Sequence, residues 1–363
     1  MEKERYTLKN LFLPRLRGRP WREIPAMLML NPIVWLCELT VWIIFAVGSA
    51  YQASVLAPHM DFVIILVATV ATIVFPVIYL LFMWLLDIFE REPLRFIISL
   101  FLWGVASAGG AFIVNTCLGL ILVVIGSLIG GETGGQLAAV VGTSVFIAPV
   151  VEECLKGLGV IIMAGHHEMD DTYDGILFGF SAGIGFAAVE NLFYFSAAFK
   201  EGQTTALEFL GFVLYRSIIC MIGHGCFTAT TGILMGFLKG RGRLAKFAQF
   251  GGLIGLFGAM LLHGIFNAAA IGQEITQAVV FGKLTYPLPM FHGPLIFLMA
   301  FIYFIIIIFA LIESRARIIR EDAYEKERQR QKQLEQAGAK CCRECNTPLP
   351  QGRICCDQCG TMN

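Results

Sequence analysis

Charge is what this sequence has least of. Lys, Arg, Asp and Glu make up 15% of its 363 residues while 57% are hydrophobic, and the mean hydropathy is +0.72. An ordinary soluble domain carries about 25% charged residues, so the composition excludes a soluble globular class and points to helices in a bilayer. The net charge is zero, which says nothing about partners; the distribution of charge is what matters. No HExxH occurs in the chain, which excludes the zinc site whose two His and Glu share one helix face. Any catalytic metal must therefore be assembled from separate helices. No short apolar run with a small-residue cleavage site lies near the start, and the expectation is that no signal peptide is removed. No duplicated half or inverted repeat is visible, which weighs against a secondary transporter.

What is there instead is a series of long apolar runs. Eight of them, approximately 32–56, 62–86, 96–125, 137–164, 174–198, 207–238, 247–271 and 291–312, meet the length of about 20 residues that a spanning helix needs. With the N-terminus inside, the inside segments carry seven, two, none and four Lys/Arg, and the outside loops carry none, none, one and one. That asymmetry predicts cytoplasmic termini. The inside loop without basic residues, Gly165 to Asp174, is acidic and reads as a solvated turn in preference to a cation or substrate site. The expected fold class is an all-α polytopic membrane protein with about eight transmembrane helices and a small C-terminal zinc ribbon. Its parts are a basic cytoplasmic arm (1–31), a helical core (32–312), a charged helical stalk (313–340) and the ribbon (341–363). The stalk mixes eight basic with six acidic residues, the pattern of a solvated helix and not of a nucleic-acid binder.

Eleven cysteines fall into two populations. Five lie scattered in apolar segments, where a thiol behaves as a small hydrophobe. Six crowd into residues 341–359. There Cys342 and Cys345 form one CxxC, and after ten residues Cys356 and Cys359 form another. Paired knuckles of this kind supply four thiolates to a structural zinc. A closed four-Cys site has no open position for catalysis. A cytoplasmic protein is the partner such a ribbon would recruit.

The few ionisable residues inside the spans carry the functional argument, because a charge at bilayer depth costs roughly 2.5–3.5 kcal/mol on insertion scales. The fourth span holds Glu152, Glu153 and Lys156; the fifth holds Glu190 and Asn191. The sixth holds His224, with Arg216 nearer its outer end, and the seventh holds His263 and Asn267. Rows of small residues at every fourth position run through the same helices: Gly175, Gly179, Gly183 and Ala187 on the fifth, and Gly251, Gly255 and Ala259 leading to His263 and Asn267 on the seventh. On the sixth, Cys220, His224, Thr228, Gly232 and Gly236 make a third row. Such rows are the ridges on which membrane helices pack closely, so the polar groups face the bundle interior. At about 1.5 Å per residue, Glu152, His224, Glu190 and His263 all lie roughly 18–24 Å from the cytoplasmic end of their spans. One layer can hold them all.

Two neighbouring carboxylates in a low-dielectric site do not both ionise cheaply. Lys156, at i+4 from Glu152, is expected to offset one charge. The pair then offers an acid and a base side by side, the requirement of peptide hydrolysis. His224 and His263 would hold a divalent metal with a carboxylate, or position water without one. A transporter using the same charges as a proton relay, and a non-catalytic adaptor recruiting partners through the ribbon, are the rival readings.

The motif Glu152-Glu153-x-x-Lys156 resembles the EExxK of the PrsW-type intramembrane proteases, within the CAAX-processing and bacteriocin-processing membrane peptidases. Asp171-Thr-Tyr-Asp174-Gly175 running through to Glu190-Asn191 is similar to that family's second block, and Gly223-His224 and Leu262-His263-Gly264-x-x-Asn267 to its histidine blocks. Leu86-Asp87-x-x-Glu90-Arg-Glu92-Pro93 also resembles a family segment, and the likeness covers roughly residues 75–270. The resemblance implies an enzyme of a family usually classed as metallopeptidase, with zinc the expected catalytic divalent metal, that cuts membrane-anchored proteins such as anti-sigma factors in a bacterial cell membrane. It implies Glu152, Glu153, Glu190, His224 and His263 as the catalytic set, with Lys156, Asn191 and Asn267 in support. Position 267 is Asn where family members carry Asp, which sets it apart from the metal ligands.

Overall fold

The computed structural model describes residues 20–56, 62–200, 205–280 and 289–336. The cysteines of the expected zinc ribbon and residues 1–19 of the basic arm lie outside the described residues. Among those described, every regular element is a helix. In order they are α1 (Ile24–Met29), α2 (Pro32–Leu56), α3 (Phe62–Leu86), α4 (Leu94–Leu137), α5 (Ala148–Met163), α6 (Thr172–Lys200), α7 (Ala206–Tyr215), α8 (Met221–Lys239), α9 (Ala248–Val280) and α10 (His292–Gln336). A π-helical segment, Ala138–Ile147, joins α4 to α5, and another, Arg216–Cys220, joins α7 to α8.

Seven continuous helical stretches among the described residues are long and apolar enough to cross a membrane. The sequence suggests eight, and the difference has one cause. Residues Leu94–Met163 form a single stretch of 70 residues, which drawn straight would measure roughly 105 Å, more than three times a hydrocarbon core of about 30 Å. It does not run straight. Gly130 leaves helical geometry and Gly131 takes φ 61°, ψ −151°, a conformation that only glycine adopts without strain. The limbs on either side then meet, with Gly126 against the backbone of Gly134 and Gly142 against Leu122. The expected loop between the third and fourth spans is thus a two-glycine kink, with helical geometry up to it on both sides.

The chain divides into two compact units, Met1–Leu311 and Ile312–Asn363. Within the second, the described residues are helical and mostly exposed, as a charged helix in water should be. Within the first, α6 is the axis: 89% of its most apolar window is buried. Its glycine row is what lets neighbours approach. A Cβ placed on Gly175 would strike the carbonyl of Gly232, one on Gly179 the backbone of Thr228 and Ala229, and one on Gly183 the carbonyl of His224. Gly255 of α9 meets the backbone of Thr230 and Thr231 in the same way. Helix α8 is therefore clasped between α6 and α9 with backbone almost touching backbone, as small residues permit where lipid supplies no hydrophobic drive.

The connection before α6 corrects a second expectation. Residues 165–174 do not form a solvated turn: His166, Asp171, Thr172 and Asp174 are all buried. The acids are used as local caps, Asp174 Oδ2 accepting from the backbone N–H of Asp170 and Asp171 at 2.9 and 3.0 Å.

The seam sets a stability test. Gly183→Ala places a methyl against the carbonyl of His224, which cannot yield without moving α8. It should destabilise the protein by about 1–3 kcal/mol, the usual range for overpacking. Gly48→Ala, with nothing within 4 Å of the added atom, should leave the midpoint unchanged. Thermal unfolding of both variants in detergent, followed by tryptophan fluorescence, checks the contrast.

Candidate active site

Glu152, Glu153, Glu190, His224 and His263 come together in one cluster: Glu190, His224, Lys156, Glu153 and His263 are linked in turn, and Glu152 lies 3.8 Å from His263. Helix α5 opens directly after a π segment, and Glu152 and Glu153 follow within its second turn. Helix α8 also opens after a π segment and presents His224 one turn in. π-Helical insertions in α-helices are frequent at functional sites. Asn267 shows one local use here: its Nδ2 donates to the carbonyl of Ser144, inside the first π segment, at 2.8 Å. That contact supports the backbone leading to α5 and keeps Asn267 apart from the acids.

Glu153 is the hub. Its Oε1 accepts from Lys156 Nζ at 2.5 Å and lies 2.9 Å from His263 Nδ1, while Oε2 accepts from Thr228 Oγ1 at 2.9 Å. Both Glu153 and Lys156 are fully buried. Lys156 was expected to compensate Glu152 across i+4, but Glu152 Oε2 is 4.0 Å away and the tight partner is Glu153 at i+3. The reason is lateral: Lys156 also reaches His224 Nδ1, 3.2 Å away, and lies 4.3 Å from the centre of the Phe186 ring, which draws it to the Glu153 side.

Glu190 closes the other flank. Its Oε2 is 2.8 Å from His224 Nε2 and accepts from Arg216 Nη2 at 2.8 Å. Arg216 Nε donates to Asn191 Oδ1 at 3.0 Å, and its guanidinium lies 3.7 Å from the Tyr194 ring centre. Arg216 is thus part of the cluster although the sequence places it toward the end of its span. The π segment that begins at Arg216 brings it onto the Glu190 side. Asn115, on α4, is a further member; its Nδ2 donates to Glu152 Oε1 at 3.2 Å. A lone carboxamide in the apolar run 96–125 was the available signal for it. Thr228 carried a weaker one, as the next residue after His224 in its small-residue row.

Glu152 differs from the other acids. Its Oε2 is buried and has no hydrogen-bond partner among the described residues. The nearest ring nitrogen is His263 Nε2 at 3.8 Å. Because His263 spends Nδ1 on Glu153, its Nε2 is turned toward Glu152, the carboxylate–imidazole orientation seen behind metal-ligating histidines. Glu152, His224 and His263 each offer one ligand atom, all within 4.8 Å of one another. Two imidazoles and a carboxylate around an unsatisfied oxygen are the donor set of a zinc site that keeps an open position for water. These residues fit a divalent cation.

A family profile described as PrsW family intramembrane metalloprotease matches residues 92–311, more than half of the chain and all of the clustered residues. Protease PrsW of Geobacillus kaustophilus (strain HTA426) is 28% identical over 198 residues, which cover 53% of this chain and 75% of that protein. Protease PrsW of Clostridioides difficile (strain 630) is 28% identical over 187 residues, covering 50% of this chain and 69% of the relative. Protease PrsW of Halalkalibacterium halodurans is 32% identical over 119 residues, covering 32% of this chain and 49% of that protein. No solved structure matches.

The ion pair makes a prediction about stability alone. Glu153→Ala leaves the Lys156 ammonium buried without its partner, a loss on the order of 3–5 kcal/mol. The double variant Glu153→Ala/Lys156→Met removes both charges and should recover much of it. Denaturant unfolding of the two variants side by side measures the difference.

Proposed function

Since the chain belongs to the PrsW family of intramembrane metalloproteases, we propose that it is an endopeptidase cutting membrane-anchored proteins, of the anti-sigma-factor kind, at the level of the Glu152 cluster. The observation that carries the reading is the buried, unpartnered Oε2 of Glu152 beside His263 Nε2. Glu153 is the poorer base, for both its oxygens are already bonded. Glu152 has Oε1 fixed by Asn115 and Oε2 open.

Peptide hydrolysis then distributes as follows. A water between Glu152 Oε2 and His263 Nε2 loses its proton to Glu152 as its oxygen bonds to the scissile carbonyl carbon. As the C–N bond breaks, the same carboxyl returns the proton to the leaving amine. Lys156 holds Glu153 in place and so fixes the ring of His263. Arg216 and Asn191 fix Glu190, and through it His224. Glu152, His224 and His263 would hold a divalent cation, which when bound would polarise the carbonyl and bring the pKa of water down to about 7. Glu152 Oε2 cannot be ligand and base at once. With a cation held there, Glu190, the more exposed carboxylate beside His224 Nε2, would be the residue left to hold the proton.

The bundle supports eight crossings if each limb of the 70-residue hairpin spans once. With the Lys/Arg asymmetry of the loops, an even count supports the reading that both termini lie in the cytoplasm of a bacterial cell, the source of the relatives. The remaining proposals are the structural zinc on Cys342, Cys345, Cys356 and Cys359 and a cytoplasmic partner for that ribbon.

Two measurements test the reading. In membranes carrying a membrane-anchored reporter, Glu152→Gln and His263→Ala should each lower the cleavage rate at least about 100-fold, the low end of general-base contributions, with helix content retained. Unchanged cleavage in both would overturn it. The metal content of the full-length His263→Ala protein should fall by one equivalent against wild type, the Cys ribbon being common to both. Equal content with activity present in the wild type would favour water activation by Glu and His alone.

A further inference from the structure

The turn that follows α5 carries two imidazoles that the proposed chemistry does not use, His166 and His167. Backbone bonds shape it: the N–H of Gly165 donates to the carbonyl of Ile162 at 3.1 Å, and that of His166 to Met163 at 2.9 Å. Lys239 Nζ donates to the carbonyl of Ala164 at 2.6 Å and to that of His166, which pins the turn to α8. The residues just before α1 lie directly against it, since a Cβ on Gly165 would strike the carbonyl of Arg22. Glu23 follows. It stands at the N-terminal boundary of α1, yet its side chain makes no cap bond there.

The side chains are set against one another as ligands would be. Ligand atoms of Glu23, His166 and His167 all lie within 4.8 Å of one another. The rings of His166 and His167 stack, with 4.3 Å between centres and 26° between planes. His167 Nδ1 is 3.5 Å from Glu23 Oε1. That is long for a hydrogen bond, in which N and O are commonly about 2.9–3.0 Å apart. It suits two donors on one ion: atoms about 2.0–2.2 Å from a tetrahedral zinc stand roughly 3.3–3.6 Å from each other.

A separate observation concerns the other side of the same ring. His167 Nε2 is 3.5 Å from Glu168 Oε1. A metal-ligating histidine characteristically turns its second nitrogen to a carboxylate, which fixes the tautomer and the ring's orientation. His167 has both halves of that arrangement, Glu23 at Nδ1 and Glu168 at Nε2. His166 Nδ1 accepts from the N–H of Glu168 at 3.3 Å. That nitrogen therefore carries a lone pair, as a metal requires, and ligation through it gives up only a long bond. His166 is buried, while the side chain of His167 is 41% exposed, so an ion can enter without the bundle opening.

We propose that Glu23, His166 and His167 bind a transition-metal ion of the zinc class, with Glu168 as the orienting carboxylate, at a site separate from the Glu152 cluster. Imidazole donors select such ions over Ca²⁺ and Mg²⁺, and three protein donors leave a fourth position for water. The ion joins the segment before α1 to the end of α5, the helix that carries Glu152 and Glu153, so its occupancy sets how firmly that helix end is held. The inference does not depend on the peptidase reading.

The test uses the full-length protein in detergent, stripped with chelator and dialysed against Zn²⁺ at one buffered free concentration. Wild type is compared with His167→Ala, Glu23→Ala and His263→Ala, the C-terminal cysteines being common to all. Bound zinc should fall by one equivalent in His167→Ala and by one in Glu23→Ala. His263→Ala reports on the core alone: whether or not it loses an equivalent, adding His167→Ala to it should remove one more, which keeps this site distinct from the active-site reading. His167 is exposed, so its truncation leaves the fold intact, and unchanged thermal unfolding of the stripped variant checks that. Equal zinc in wild type, His167→Ala and Glu23→Ala would overturn the proposal and leave His167 as an ion-pair partner of two carboxylates only.

Discussion

One ion pair, Glu153 with Lys156, constrains most of what surrounds it. Both side chains are fully removed from solvent, and the attraction between two such charges repays their desolvation only if the remaining polar atoms are also satisfied. The satisfying groups have to come from elsewhere. Thr228 and His224 are supplied by α8 and His263 by α9, so a single pair on α5 sets the register of three helices at once. Long side chains at the ends of a membrane helix can snorkel to the headgroups; Lys156 and Glu153, deep in the bundle, cannot. The same constraint singles out Glu152. Once Lys156 is committed to Glu153, its neighbour is left with an amide from Asn115 on one oxygen and no hydrogen bond on the other.

Such a pair can be assembled only if the helices come close enough, and that falls to the small residues. Gly175, Gly179 and Gly183 of α6 lie against the backbone of α8, and Gly255 of α9 against its opposite side. Side chains of ordinary size along these lines would separate the axes and lengthen every bond from Glu153 to α8 and α9. The glycine rows and the charges are thus one design: close approach makes short, well-aligned polar bonds available, and those bonds offset the removal of the charges from water. In lipid, where the hydrophobic effect gives helices no reason to associate, both parts are needed.

Much of this was legible in the chain. Charges inside apolar runs are rare enough that Glu152, Glu153, Glu190, His224 and His263 announced themselves, and the four-residue spacing of glycines showed which faces would meet. What was not legible depends on rotation and on backbone irregularity. Whether Lys156 leans to i−3 or i−4 is a matter of what lies beside the helix, here His224 and Phe186, and spacing alone leaves both open. Arg216 looked peripheral because a regular helix was assumed between it and His224; a π segment occupies that interval. Residues 126–136 fall between two apolar runs of the sequence, yet Gly130 and Gly131 suffice to reverse the chain while the rest stays helical. Acidic residues at 168–174 looked solvated because acids usually are, and their burial follows from the packing of four helix ends that no local pattern reveals.

The unsatisfied Glu152 Oε2 bears on function through what stability would otherwise favour. Removing a buried, unpartnered polar atom generally stabilises a fold, because its desolvation has no return. In the core, the alternatives were at hand: Glu153 and Glu190, on the same layer, are each provided with two or more donors. Beside carboxylates so well supplied, the open oxygen of Glu152 stands out, and such departures concentrate where a protein binds or reacts. Imidazole nitrogens lie opposite it, which suits water and proton transfer.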